Sequence, residues 1–140
     1  MSDLHHTRIK VRGYHLDLYG HVNNARYLEF LEEARWGFTE DHGQLEYFAK
    51  AGLAFVIVNI NIDYRRPAFM NEEILIETGM KKIGSRSAVI HQKVFLAGTQ
   101  TVIAEADVTF VIYDPKKDAA VPMENELRTI FDALPRWPAA

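Results

Sequence analysis

The sequence predicts an α+β domain: a five-stranded antiparallel sheet wrapped around one long central helix. Three observations carry that prediction. Between residues 25 and 38 the apolar positions recur with helical spacing, and from residue 53 onward they recur with a period of two. The later two-periodic segments are joined by short, Gly-containing connections, which suit antiparallel hairpins because parallel pairs need a long crossover. One helix cannot cover both faces of such a sheet, so the sheet must curl around it and bury one face there. With 140 residues, and no repeat or Gly/Ser-rich linker, the chain reads as one domain over 1–140.

Each element has its own signal. Residues 7–13, Thr-Arg-Ile-Lys-Val-Arg-Gly, alternate apolar with basic side chains and read as a short strand ending at Gly13. A polar, Gly-containing segment from Tyr14 to Asn24 follows. The helix Ala25–Phe38 places Tyr27, Phe30, Leu31, Ala34 and Phe38 on one stripe, with Asn23 or Asn24 as N-cap, where a short amide oxygen meets free N–H groups. Leu28 and Trp36 widen the stripe, so the helix is expected to be covered on most sides. In the next segment Val56, Val58, Ile60, Ile62 and Tyr64 alternate with more polar neighbours and stop before Pro67. Strands around 74–81, 88–96 and 102–112 follow, separated by Gly84-Ser85 and Gly98 and closed by Asp114-Pro115. An amphipathic stretch from Glu124 to Leu134 makes a last short helix before Pro135. The open edge of such a sheet calls for a partner, and pairing with a second copy is the economical solution, giving a homodimer or homotetramer.

Composition excludes several classes of function. Sixteen Lys+Arg against nineteen Asp+Glu leave a net charge of −3, so no bulk basic field attracts nucleic acid. Zero cysteines remove disulfides, thiolate metal sites and a cysteine nucleophile together, and fit a cytoplasmic location. The first six residues have no apolar h-region, and no run approaches the ~18 apolar residues that span a bilayer. The six histidines form no compact ligand set with acidic partners and no HExxH spacing, so neither a metal nor another cofactor is expected.

The chemistry concentrates between Val11 and Tyr27. A carboxylate, Asp17, and an imidazole, His21, stand just upstream of a helix start whose free N–H groups and positive dipole end would polarise a substrate carbonyl. Asp17 could then attack that carbonyl or activate a water. The same spacing also serves an architectural role, in which Asp17 and His21 order a turn and cap the helix.

The pattern Tyr14-x-x-Asp17-x-x-Gly20-His21-Val22-Asn23-Asn24-x-x-Tyr27 resembles the 4-hydroxybenzoyl-CoA thioesterase branch of the hotdog-fold superfamily. The longer run Ile9 through Trp36, with Ala54-Phe55-Val56 to Pro67, resembles the long-chain acyl-CoA thioesterases within that branch. The resemblance spans residue 8 to about 131 and implies hydrolysis of fatty acyl-CoA to free fatty acid and CoA, without a cofactor. Carried over, Asp17 takes the place of the catalytic carboxylate, and His21 and Tyr14 line the site. Asn24 falls where a first-turn N–H faces the thioester oxygen, and Asn23 and Tyr27 complete the motif as substrate-binding positions. Alternative readings are a thioesterase for aromatic or short acyl-CoA or for acyl-carrier protein, and a non-catalytic acyl-CoA-binding protein. Arg65, Arg66 and Arg86, with Lys81, Lys82 and Lys93, are candidates for the CoA phosphates, since guanidinium forks match phosphate oxygens, or else solvated strand ends. Glu32 and Arg35 are expected to pair along the helix or to cross to a partner subunit.

Overall fold

The computed structural model describes residues 4–138, so Met1–Asp3 of the N-terminal reading lie outside the described residues. The strands are β1 (His5–Lys10), β2 (Ala54–Tyr64), β3 (Glu73–Ile83), β4 (Ala88–Leu96), β5 (Val102–Asp114) and a two-residue β6 (Ala119–Ala120). The helices are α1 (Asn24–Asp41), α2 (Gln44–Ala51) and α3 (Asn125–Asp132). Five strands form one antiparallel sheet in the order β1-β3-β4-β5-β2, with β6 beside β5. The curled sheet closes on α1, and Phe30, Leu31, Ala34 and Phe38 pack with Ile74, Ile76, Ile90, Val108 and Phe110 in one core. The architecture is the hotdog fold that the patterning implies. No helix among the described residues is long and apolar enough to cross a membrane.

Four expectations are corrected. The chain from 44 to 51, where no element is expected, forms α2, bracketed by Gly43 and Gly52 at φ 72° and 69°. Its apolar positions, Leu45, Phe48 and Ala49, have helical spacing but span barely two turns, too few for a periodicity signal. The alternation read along β2 breaks at a bulge between Ile57 and Asn59. One extra residue reverses the sides, so Ile57, Ile60 and Ile62 turn toward the core while Val56 and Val58 are exposed. Leu28 and Trp36 are also exposed, so the flank of α1 beside β2 is open in the single chain. Among the described residues of the single chain, Glu32 and Arg35 make no ion pair with each other along the helix. Instead Glu32 Oε2 accepts from Trp36 Nε1 at 3.1 Å, and Arg35 Nη1 donates to Gln92 Oε1 at 3.1 Å.

Candidate active site

The segment between β1 and α1 folds as a tight hairpin. A single turn of 3-10 helix, Gly13–His15, enters it, and Leu16 bridges Val22 across it. Asp17 N–H donates to His21 O at 2.8 Å, and Gly20 N–H donates to Asp17 O at 3.1 Å. Gly20 has φ 81°, a left-handed conformation that glycine adopts without steric cost. The Asp17 carboxylate is fixed through Oδ1, which accepts from Tyr19 N–H at 2.9 Å, leaving Oδ2 available. His15, which sequence reasoning did not single out, anchors the hairpin from within. It is buried, its Nδ1 accepts from Arg12 N–H at 2.8 Å, and its carbonyl accepts from Asn23 N–H at 2.9 Å. Burial, followed by the Arg26 charge, lowers its pKa and favours the neutral ring that this acceptor role requires.

The hairpin delivers the chain to the start of α1. Asn23 is the N-cap, its Oδ1 accepting from Ala25 N–H at 2.9 Å and its carbonyl from Arg26 N–H at 2.8 Å. The Asn24 N–H therefore stands first in the helix with no acceptor among the described residues, at the positive end of the helix dipole. Tyr64, from the end of β2, donates its hydroxyl to Asn24 O at 3.1 Å. Tyr14 exposes its ring beneath the Arg26 guanidinium, 5.8 Å from the ring centroid. The His21 ring meets Phe69 edge-on at 5.3 Å, and its nitrogens have no hydrogen-bond partner among the described residues. Tyr14, Asp17, His21, Asn23 and Asn24 are thus gathered on one hairpin and the helix it feeds.

The remaining candidates are placed differently. Tyr27 is only 4% exposed, and its phenolic oxygen accepts from Ala68 N–H at 3.0 Å, which places it in the core as a strut between α1 and the 65–72 loop. Arg66 spends its fork on Glu72, at 2.9 and 3.0 Å, and lies over Phe69; it ties the 65–72 loop together. Arg65 is half-exposed near Glu105 and Asp63. Arg86 sits on the β3–β4 turn, donating to Ala120 O, at the end of the sheet away from the hairpin. Within one chain, therefore, Arg86 does not reach the site, because the long β3 separates its turn from the hairpin.

A second feature lies further along α1. Glu32, Arg35, Trp36 and Thr39 line a cavity of about 470 Å³, faced by α2 and by Leu53, Phe55 and Ile57 at the start of β2. Its polar wall comes from the helix and its apolar wall from Leu45, Phe48, Phe55 and Ile57.

Comparison with known proteins follows the same outline. Residues 11–131 match the family described as the thioesterase-like superfamily. The chain is 48% identical over 128 residues to the long-chain acyl-CoA thioesterase FadM of Escherichia coli, covering 91% of this chain and 97% of that protein. It is 28% identical over 120 residues to the acyl-CoA thioesterase YbgC of Haemophilus influenzae, covering 84% and 87%. The crystal structure of YbaW from Escherichia coli superposes with a TM-score of 0.89 at 44% identity, covering 94% of this chain and 98% of that one.

Proposed function

The chain belongs to the thioesterase-like superfamily, and on that premise we propose that it hydrolyses long-chain fatty acyl-CoA to free fatty acid and CoA at the Asp17 hairpin. The observation that carries the site assignment is the pairing of a fixed carboxylate with an open helix start. Asp17 is held by Tyr19 N–H, and the same hairpin ends at an Asn24 N–H without an acceptor.

Thioester chemistry suits these parts. The acyl–sulfur bond has little resonance stabilisation and thiolate leaves readily, so the barrier is mainly the charge that develops on the carbonyl oxygen. The Asn24 N–H receives that charge, and a donor of this type is worth about 3–4 kcal/mol of barrier. Asp17, as nucleophile or general base, brings oxygen to the carbonyl carbon as the carbon–sulfur bond breaks. Water supplies the new carboxyl oxygen, and CoA leaves as its thiol. His21 and Tyr14 border the reacting group, and half-exposed Arg65 is the strand-end guanidinium left for the CoA phosphates.

Two copies complete the site. β2 is an edge strand of eleven residues with Val56 and Val58 exposed beside the open flank of α1, and pairing this edge with a second copy would cover both. Such a homodimer, or a tetramer built from it, acts in the cytoplasm on this reading, which the cysteine-free composition favours.

The test is Asp17→Asn, in which the amide oxygen still accepts from Tyr19 N–H while the charge is lost. CoA release from a long-chain acyl-CoA should fall by at least about a hundredfold, the usual worth of a positioned acid or base, with an unchanged melting temperature. Turnover like that of the unaltered protein would sink the assignment.

A further inference from the structure

The start of α1 approaches the end of β2, and the end of α1 approaches the start of β2. At one end Tyr64 bonds Asn24 O and stacks edge-on with Tyr27 at 5.4 Å; at the other, Trp36 and Thr39 share the cavity with Phe55 and Ile57. Asn24, Leu28, Glu32, Arg35 and Thr39 follow the helical repeat along one flank of α1, so the cavity begins at Glu32, roughly 12 Å of helix axis beyond Asn24, and Arg35 stands roughly 16 Å beyond it. An extended long acyl chain held at the thioester by Asn24 spans that distance.

The cavity differs from a simple alkyl pocket in one respect. Arg35 lines it while only 8% exposed, and among the described residues its guanidinium makes one hydrogen bond, to the neutral Gln92 amide at 3.1 Å. Gln92 is itself fully buried; its Nε2 donates to Leu31 O and Thr78 Oγ1, at 3.0 and 3.1 Å, which fixes the amide so that its oxygen faces Arg35. Among the described residues the guanidinium has no ion-pair partner, and its other donors have no protein acceptor. Desolvation lowers its pKa, and the Glu32 charge offsets part of that effect from a distance. A guanidinium carries five donors, and those that Arg35 does not give to Gln92 are not sealed in the core but open onto the cavity it lines. Glu32 borders the same space with one oxygen taken by Trp36 Nε1 and the other free to accept.

We propose that this cavity receives the distal end of the acyl chain, and that Arg35 and Glu32 select a chain carrying a hydroxyl group there. A hydroxyl accepts from the guanidinium and donates to the carboxylate, satisfying both at once. A methyl end displaces water from the Arg35 donors and offers no acceptor in return, and a second carboxylate would meet the Glu32 charge. Leu45, Phe48, Phe55 and Ile57 cover the methylenes beside it. The inference rests on the acyl-CoA reading above and adds the class of chain.

The test compares CoA release by the intact protein from three matched thioesters: hexadecanoyl-CoA, its ω-hydroxy analogue and its ω-carboxy analogue. The ω-hydroxy ester should show a kcat/KM about tenfold above the methyl-ended ester, the worth of one hydrogen bond to a charged group. Arg35→Met should bring that ratio toward one. Glu32→Gln, a substitution at an exposed position that spares the core, should lower the ratio as well. Equal or lower turnover of the ω-hydroxy ester overturns the inference while the thioesterase reading stands. Preference for the ω-carboxy ester, or a ratio unmoved by both substitutions, overturns it too. Failure of all three esters to release CoA would overturn the thioesterase reading itself.

Discussion

Tyr27→Phe separates a structural tyrosine from a substrate-binding one. The motif position suggests contact with substrate, whereas the structure buries the ring to 4% exposure and gives its oxygen to Ala68 N–H at 3.0 Å. Ala68 is fully buried, so removing the oxygen strands a donor that water cannot reach, while the ring contacts with Phe30 and Tyr64 remain. An unsatisfied buried donor costs about 1–3 kcal/mol. For a chain of this size each kcal/mol lowers the melting temperature by about 3–5 °C, so a fall of about 3–15 °C is expected. Ala68 O accepts from Val22 N–H at 2.9 Å, so loosening this loop also relaxes the hairpin, and kcat should drop modestly with KM nearly constant. Thermal unfolding at fixed protomer concentration, which matters for an oligomer, and steady-state kinetics on one long-chain acyl-CoA supply both readouts. An unchanged melting temperature with a raised KM would refute the structural assignment.

Other outcomes follow from the same geometry. Asn23→Ala removes the helix cap at Ala25 N–H, so it should cost about 1 kcal/mol of stability and lower kcat by misdirecting the Asn24 N–H, whereas Asn23→Asp keeps the acceptor and should restore stability. Acid should destabilise the sheet's outer face. Burial would raise the Asp107 and Glu105 carboxyls, but hydrogen bonds from His91, with Lys81 on Asp107, outweigh it and hold both below their ordinary values. Groups lowered on folding contribute stability above the unfolded carboxylate pKa of about 4 and lose it as pH falls through the folded value. Asp107→Asn should therefore flatten the acid limb of the stability curve, and an unaltered limb would contradict the pairing. Val58→Lys places like charges across a β2–β2 pairing, so light scattering should show a shift to the 16.1 kDa protomer with loss of activity. A variant that stays dimeric and fully active would move the interface elsewhere.

The sequence by itself determined what local pattern controls. A 3.6-residue period with Asn23 at its head specifies α1, and period-two runs broken at Pro67, Gly84, Gly98 and Pro115 specify the long strands. The hairpin residues from Tyr14 to Asn24 were legible for the same reason, because they are neighbours in the chain and a tight turn keeps them together. Tertiary structure decided whatever depends on a partner far along the chain. Tyr27 becomes a strut because Ala68, forty-one residues on, presents an N–H to it, and Arg35 is buried because Gln92, fifty-seven residues on, accepts from it. Arg66 is committed to Glu72 only because the intervening loop folds back, and Arg86 is carried away from the hairpin by the length of β3. The β2 bulge reversed an alternation that pattern alone reads as continuous, since one inserted residue costs the sequence no visible signal yet exchanges the two faces. Periodicity records which way a side chain points relative to its neighbours. Which group it meets there is set by long-range packing, and in this chain that packing distinguishes a core strut from a binding residue and forms the cavity beyond the hairpin.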